Sequence, residues 1–227
     1  MNTNPLPTDS GLVKTKPAPA PWDLSSKADA ILRTTDKVDF RIRKAILAAA
    51  SDVFDGMFSL PEIPENRKRK EPENDEYVDD IPVILVEEGS DTVEIILRYC
   101  YPIPKPNHFE PQALCDALAA SRKYLMEYVE GELLKQFKLD AEQNPFLFYI
   151  IASKFVWDTE TVFAAKACLL EEFDPPYLSP IMDEFPASIL SRLLLFRQSS
   201  IAAALKAVGF DEQTKVGPPM VKTYTFG

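Results

Sequence analysis

The sequence predicts an α+β fold, in which a small sheet is flanked by helices and is followed by an all-helical C-terminal extension. Three observations support this class. Val38, Phe40 and Ile42 alternate with charged residues, which is the period of a half-buried strand. Residues 81–86 form a short apolar run that is typical of a buried strand. From residue 111 onward, apolar residues recur only at helical spacing.

The first elements are a β-hairpin and two short helices. Residues 28–43 are expected to form the hairpin, because two apolar stretches flank a polar turn. Residues 44–50 favour a short helix, and Ser51 is a favourable N-cap for a second one that ends at Pro61. The predicted apolar core comprises Ile31, Phe40, Ile42, Leu47, Phe54, Val83, Leu85, Ile96, Leu97, Leu118 and Tyr124.

Composition divides the chain into successive parts. Residues 1–26 are rich in proline and lack periodic apolar residues, which predicts a flexible leader. Residues 27–138 hold the sheet and its helices, interrupted at 62–80 by a polar insert of the kind that is usually mobile or functional. A helical extension is expected over 139–210, and a loose tail over 211–227.

Composition also favours a protein-binding role. The formal net charge is −10, and the only basic run is at 67–70, whereas nucleic-acid binding requires a basic face. No stretch approaches the ~20 apolar residues of a membrane span, and no signal peptide is visible. Three widely spaced cysteines fit a reducing compartment. We therefore expect a cytoplasmic or nuclear protein that binds neither nucleic acid nor membrane directly.

The sequence contains no recognisable catalytic or metal-binding motif. The single histidine, His108, lies in a proline-rich loop, and the seven glycines form no nucleotide-binding loop. Zinc and calcium spacings do not occur. The carboxylates cluster at 62–80, where solvated charge explains them better than a catalytic pair does. We expect no catalytic residue, no cofactor and no metal, and so no enzyme; an enzyme of unfamiliar type is the open alternative.

Several segments resemble a BTB/POZ domain. That family shows an Asp in its first strand, then Phe-x-x-(His/Arg)-Lys, then Leu-Ala-x-x-Ser-x-x-Phe-x-x-Met-Phe. The matching positions are Asp29, Phe40 to Lys44, and Leu47 to Phe58. Residues 83–102 resemble the family's third strand and next helix, and Lys123-Tyr124 resembles a later helix. The likeness is greatest to fungal members, and residues 144–173 resemble helices that follow the domain in longer members.

The sequence departs from the family pattern in three places. Arg43 stands where His is common, and Tyr101-Pro102-Ile103 replaces Tyr-Thr-Gly. The proline-rich residues 1–26 also leave no N-terminal helix and strand of the kind that zinc-finger members exchange between subunits. This last departure puts a strand-exchanged dimer in doubt.

The resemblance implies an adapter or self-associating module that binds other proteins, forms a homodimer, or docks on a cullin-type ubiquitin-ligase scaffold. In such adapters a hydrophobic-x-Glu triplet after the Met-Phe helix contacts the cullin. Residues 60–62 and 63–65 both fit, although such triplets also arise by chance. The alternative is a nuclear transcription or chromatin regulator that recruits corepressors, with residues 67–70 either an import signal or a solvated loop.

Two sets of residues are therefore singled out. An apolar group beyond a helix end commonly marks an interface, unless the segment folds back under the polar insert. The predicted protein-binding residues are Met57, Phe58, Leu60, Glu62, Ile63 and Glu65. The resemblance also implies a structural ion pair between Asp29 and Lys44, unless Lys44 simply points to solvent.

Overall fold

A computed structural model of the chain describes residues 15–60, 77–106, 108–170 and 185–209. Within these ranges the chain forms five strands and eight helices. The strands are β1 (Lys16–Pro17), β2 (Ala30–Arg33), β3 (Val38–Ile42), β4 (Tyr77–Val78) and β5 (Ile81–Leu85). The helices are α1 (Lys44–Ala50), α2 (Asp52–Phe58), α3 (Ser90–Cys100), α4 (Pro111–Lys123), α5 (Glu127–Gln143), α6 (Pro145–Lys154), α7 (Asp158–Ala167) and α8 (Ala187–Ala207).

The strands form one small mixed sheet in the order β1-β3-β2-β5-β4. The β2–β3 hairpin is antiparallel and pairs Leu32 with Phe40. Strand β5 then adds in parallel to β2, so that Ile31 lies opposite Val83. Because helices flank this sheet and follow it, the predicted α+β class is confirmed.

The two faces of the sheet have different surroundings. Side chains alternate along a strand, and Leu32, Phe40 and their neighbours on one face join the helices in a single apolar core. The other face carries the buried pair Arg33–Asp39, joined at 2.7 and 3.0 Å. Leu85 lies opposite Arg33 on that face and is 71% exposed. The prediction of Leu85 as a core residue is therefore wrong, because its face is not the one on which the helices pack.

Residues 15–26 belong to the folded domain. Strand β1 pairs in parallel with β3, and the Ala18 N–H donates to the Asp39 carbonyl at 3.0 Å. Trp22 is only 1% exposed, and its ring lies 6.0 Å from Phe40 and 5.9 Å from Tyr101 between centroids. The flexible leader predicted over 1–26 is wrong for these residues, because pairing at a free strand edge and burial of a large aromatic side chain offset the entropy of ordering them. Residues 1–14 lie outside the described ranges.

The polar insert predicted at 62–80 is shortened by a second hairpin. Strand β4 pairs with β5, and Val78 lies opposite Ile81. Asp79 and Asp80 form the turn with φ angles of 51° and 61°, a left-handed conformation that Asp tolerates and two-residue hairpins require. Asp79 also forms an ion pair with Arg41 of the charged sheet face. Residues 61–76 lie outside the described ranges.

The helical extension shares its core with the preceding domain. The expected boundary between 138 and 139 falls inside α5, which continues to Gln143. Phe137 of α5 meets Phe148 of α6 edge to face, with ring centroids 5.0 Å apart. Arg122 of α4 donates to Glu130 at 2.8 Å and to Glu160 of α7 at 2.5 Å. These contacts join the extension to the helices of the domain through both apolar packing and buried charge.

No helix in the described ranges has both the length and the apolar character that membrane crossing requires.

Candidate protein-binding site

Helix α2, which carries the predicted binding residues, is fixed at its N-terminus by Ser51. The Ser51 hydroxyl accepts a hydrogen bond from the Phe54 N–H at 3.2 Å, as an N-cap does. The same hydroxyl donates to the Tyr124 carbonyl at the end of α4 at 2.5 Å. Asp52 and Asp55 in the first turn add a favourable interaction with the helix dipole. One buried serine thus orients α2 against α4.

An aromatic stack supports the body of α2. Phe54 is buried, and its ring lies 4.9 Å from Tyr124 and 5.9 Å from Phe58, with interplanar angles of 29° and 23°. The Tyr124 hydroxyl donates to Glu88 at 2.5 Å. Burial and the Glu88 carboxylate raise the pKa of Tyr124, so this hydroxyl stays protonated and remains a donor at neutral pH. The Tyr124 end of the stack is therefore fixed by a hydrogen bond.

The end of α2 presents apolar side chains to solvent. Phe58 is half-buried against the stack. The preceding residue, Met57, is 41% exposed, because consecutive residues of a helix point in different directions. Leu60, beyond the helix end, is 69% exposed. We call Met57, Phe58 and Leu60 the α2-end surface. The other predicted binding residues, Glu62, Ile63 and Glu65, lie outside the described ranges.

Asp29 and Lys44 meet through the main chain of Lys44, and the ion pair between their side chains stays a prediction. The Asp29 carboxylate accepts a hydrogen bond from the main-chain N–H of Lys44 at 2.6 Å. The Lys44 ammonium lies 5.9 Å from the centroid of the Phe58 ring, a cation–π distance. The first N–H groups of a helix have no partner within the helix, so a nearby carboxylate binds them. The contact is thus a cap on α1, and Lys44 borders the α2-end surface.

The sequence patterns did not predict a charged cluster that lies beside the stack. Lys123 donates to Glu87 and to Glu88, each at 2.8 Å. These two hydrogen bonds raise the pKa of Lys123, although partial burial opposes the shift. Leu125 follows in a left-handed conformation (φ 51°) and is exposed. The adjacent Glu87 and Glu88 are visible in the sequence as an acidic pair. No local pattern connects this pair to Lys123, which lies more than thirty residues away.

The described residues give no support to a metal or thiol-based site. No group of three or more His, Cys, Asp or Glu side chains in these ranges is arranged to hold a metal ion. Burial raises the pKa of both Cys100 and Cys115 to about 12. Because the thiolate is the reactive form, both thiols are inert at neutral pH. What the arrangement offers chemically is an exposed apolar surface at the end of a helix whose N-terminus is fixed.

The small mixed sheet with its flanking helices is a fold of the protein-interaction class. The family model for the BTB/POZ domain matches residues 22–138, just over half of the chain, and the chain belongs to this family. The match begins at Trp22, the residue that docks on the sheet. BTB domains bind other proteins and self-associate.

Among solved structures, the BTB domain of zebrafish PATZ1 is similar to this chain at 19% sequence identity. The likeness covers 50% of this chain and 78% of that one, with a TM-score of 0.36. No curated protein matches the chain.

Proposed function

We propose that this chain is a non-enzymatic adapter that docks on a cullin-type ubiquitin-ligase scaffold through the α2-end surface. The observation that carries the proposal is the exposure of Met57 and Leu60 at the end of a helix that is itself rigidly held. A helix backbone that is fixed before binding loses little entropy on association. Such a surface suits a stable protein contact better than a mobile loop would.

The surroundings of the α2-end surface also support a protein partner. Lys44 lies over the Phe58 ring, so a positive charge borders the apolar centre. Interfaces commonly combine an apolar centre with a charged rim that sets specificity. Met57 adds a flexible thioether, which adapts to the shape of a partner.

The direct test is titration of a purified cullin N-terminal domain into the full chain by calorimetry. Leu60→Asp should weaken binding by at least about tenfold, because it removes a buried leucine from the interface and places a carboxylate there. Leu139→Asp is the matched control, since Leu139 is exposed to a similar degree, at 57%, but lies on α5 and is not part of the α2-end surface. It should bind like the unmodified chain.

Thermal melts of both variants should match that of the unmodified chain, because neither side chain is buried. Failure of the unmodified chain to bind any cullin, or equal binding by the Leu60→Asp variant, would refute the proposal. If the unmodified chain is instead a dimer whose mass falls on Leu60→Asp substitution, the α2-end surface serves self-association rather than cullin docking.

A further inference from the structure

The loop between α3 and α4 places a lysine against two tyrosine rings. The Lys105 ammonium lies 4.2 Å from the centroid of the Tyr99 ring and 5.7 Å from that of the Tyr128 ring. Both distances fall within the cation–π range of about 6 Å. The Glu132 carboxylate, one turn after Tyr128 on α5, lies 3.9 Å from the same ammonium. We call Tyr99, Tyr128 and Glu132 the ammonium cage.

The ammonium cage ties the middle of this loop to α3 and α5. Near the two ends of the loop, Ile103 and Phe109 pack against the apolar core. Between them Pro104 and Pro106 are exposed, so their side chains contribute little burial. The fixed φ angles of these two prolines also lower the entropy that the loop loses when Lys105 is held. The position of the middle of the loop therefore depends on the contact that Lys105 makes.

This contact depends on positive charge. The face of an aromatic ring attracts a cation, and a carboxylate forms an ion pair only with a cation. Glu132 is also bound by Lys135 at 2.5 Å, so the Tyr99 ring is the main partner of Lys105. The Lys105 side chain is 36% exposed, which leaves its amine open to a reagent.

We propose that Lys105 is a modification site, at which acylation of the amine releases the loop and methylation leaves it in place. The acyl donor is a thioester. After the ammonium gives one proton to solvent, the Lys105 amine attacks the thioester carbonyl carbon, the C–N bond of an amide forms, and the C–S bond breaks. The sulfur takes the electron pair of that bond and the second proton of the amine, and leaves as a thiol. The neutral amide no longer binds the ammonium cage, whereas a methylated ammonium keeps its charge and does.

Release of the loop also affects the N-terminal segment, through Arg98. The Arg98 side chain donates to the Pro104 carbonyl at 3.2 Å, and its guanidinium lies 5.7 Å from the centroid of the Trp22 ring. Pro104 directly precedes Lys105, so departure of Lys105 from the ammonium cage weakens this hydrogen bond. The charge of one lysine is thereby linked to the packing around Trp22.

The test compares lysine, acetyl-lysine and monomethyl-lysine at position 105 of the full chain, introduced by amber suppression. The measurement is the rate of chymotryptic cleavage after Phe109, divided by the rate for the matching free peptide of residues 102–113. When opening is fast relative to cleavage, this rate follows the population of the open loop. Acetyl-lysine should raise it about two- to fivefold, the worth of an exposed cation–π contact. Monomethyl-lysine should stay within about 1.5-fold of lysine. Acetyl-lysine at position 138, an exposed lysine of α5, is the matched control and should have no effect.

Removing a ring tests whether the effect passes through the ammonium cage. Tyr99→Leu keeps an apolar side chain and should abolish the difference between lysine and acetyl-lysine at position 105. Tyr128→Leu, at a ring that is 63% exposed, should reduce that difference and serves if Tyr99→Leu lowers the melting temperature. Incubation of the unmodified chain with an acetyl thioester should label Lys105, as detected by mass spectrometry of its peptides.

Four results would each overturn the proposal. The lysine and acetyl-lysine forms are cleaved equally, or monomethyl-lysine raises cleavage as much as acetyl-lysine does. The difference between lysine and acetyl-lysine persists in full in a folded Tyr99→Leu variant, or in Tyr128→Leu if Tyr99→Leu does not fold. The thioester labels Lys138 but leaves Lys105 unmodified.

Discussion

Replacing Ser51 by alanine tests whether one hydroxyl orients α2 against α4. The side chain is buried, accepts from Phe54 N–H at 3.2 Å and donates to the Tyr124 carbonyl at 2.5 Å. Loss of an N-cap costs about 0.5–2 kcal/mol. The part-buried Tyr124 carbonyl, deprived of its donor, costs up to about a further 1–3 kcal/mol. We expect Ser51→Ala to lower the free energy of unfolding by about 2–4 kcal/mol.

The measurement is equilibrium urea unfolding of the full chain, followed by circular dichroism. The midpoint should fall while the slope stays unchanged, because the surface exposed on unfolding is the same. Ser51→Thr keeps a hydroxyl at this position and should lose less than half as much stability as Ser51→Ala. Ser59→Ala, at the exposed C-terminal end of the same helix, should change stability by less than about 0.5 kcal/mol. Equal effects of Ser51→Ala and Ser59→Ala would refute the reasoning.

Three further predictions follow from other contacts. Arg122→Ala should cost about 3 kcal/mol in urea unfolding, because it leaves buried Glu160 without this partner. Lys135→Ala, which removes an exposed lysine from its pair with Glu132, should leave the unfolding midpoint nearly unchanged. Slight burial opposes the shift, but hydrogen bonds from Ser90 lower the pKa of Asp36. Asp36→Asn should therefore destabilise the fold at pH 7. The difference in stability between this variant and the unmodified chain should shrink as the pH falls below 3.8, the ordinary pKa of the carboxyl. Val156, with φ 58°, is strained in the turn after α6, so Val156→Gly should raise the melting temperature by the equivalent of about 0.5–1 kcal/mol; an unchanged melting temperature would contradict this.

The elements that sequence predicts well are those fixed by local patterns. The alternation at 38–42 and the Ser51 cap determine the hairpin and α2 within a few residues of themselves. The exposure of Met57 follows from helix geometry once Phe54 is assigned to the core. Local spacing, capping and turn chemistry are visible in one sequence, and so these features could be read from it.

The features that sequence did not predict depend on contacts between distant residues. In the sequence, Trp22 is part of a proline-rich stretch with no periodic apolar residues. Its burial depends on the pairing of β1 with β3 and on packing against the Phe40 ring. Leu85 has the right residue type for a core, but its burial depends on which sheet face the helices cover. Arg122 and Glu160 lie 38 residues apart in the chain, and no local pattern connects them. Tertiary packing decides all of these cases.

The parallel pairing of β2 with β5 has a consequence for how the domain folds. Strands β2 and β3 are joined by a short turn and can associate quickly. The pairing of Ile31 with Val83 instead requires the closure of a long stretch of chain that includes β3, α1, α2 and β4. The entropy of closing such a loop rises by only about 0.6 kcal/mol for each doubling of its length. Formation of the β2–β5 contact should nevertheless follow that of the hairpin, because β2 and β5 are distant in sequence. The sequence between α2 and β4 can in turn change in length at small cost to the stability of the fold.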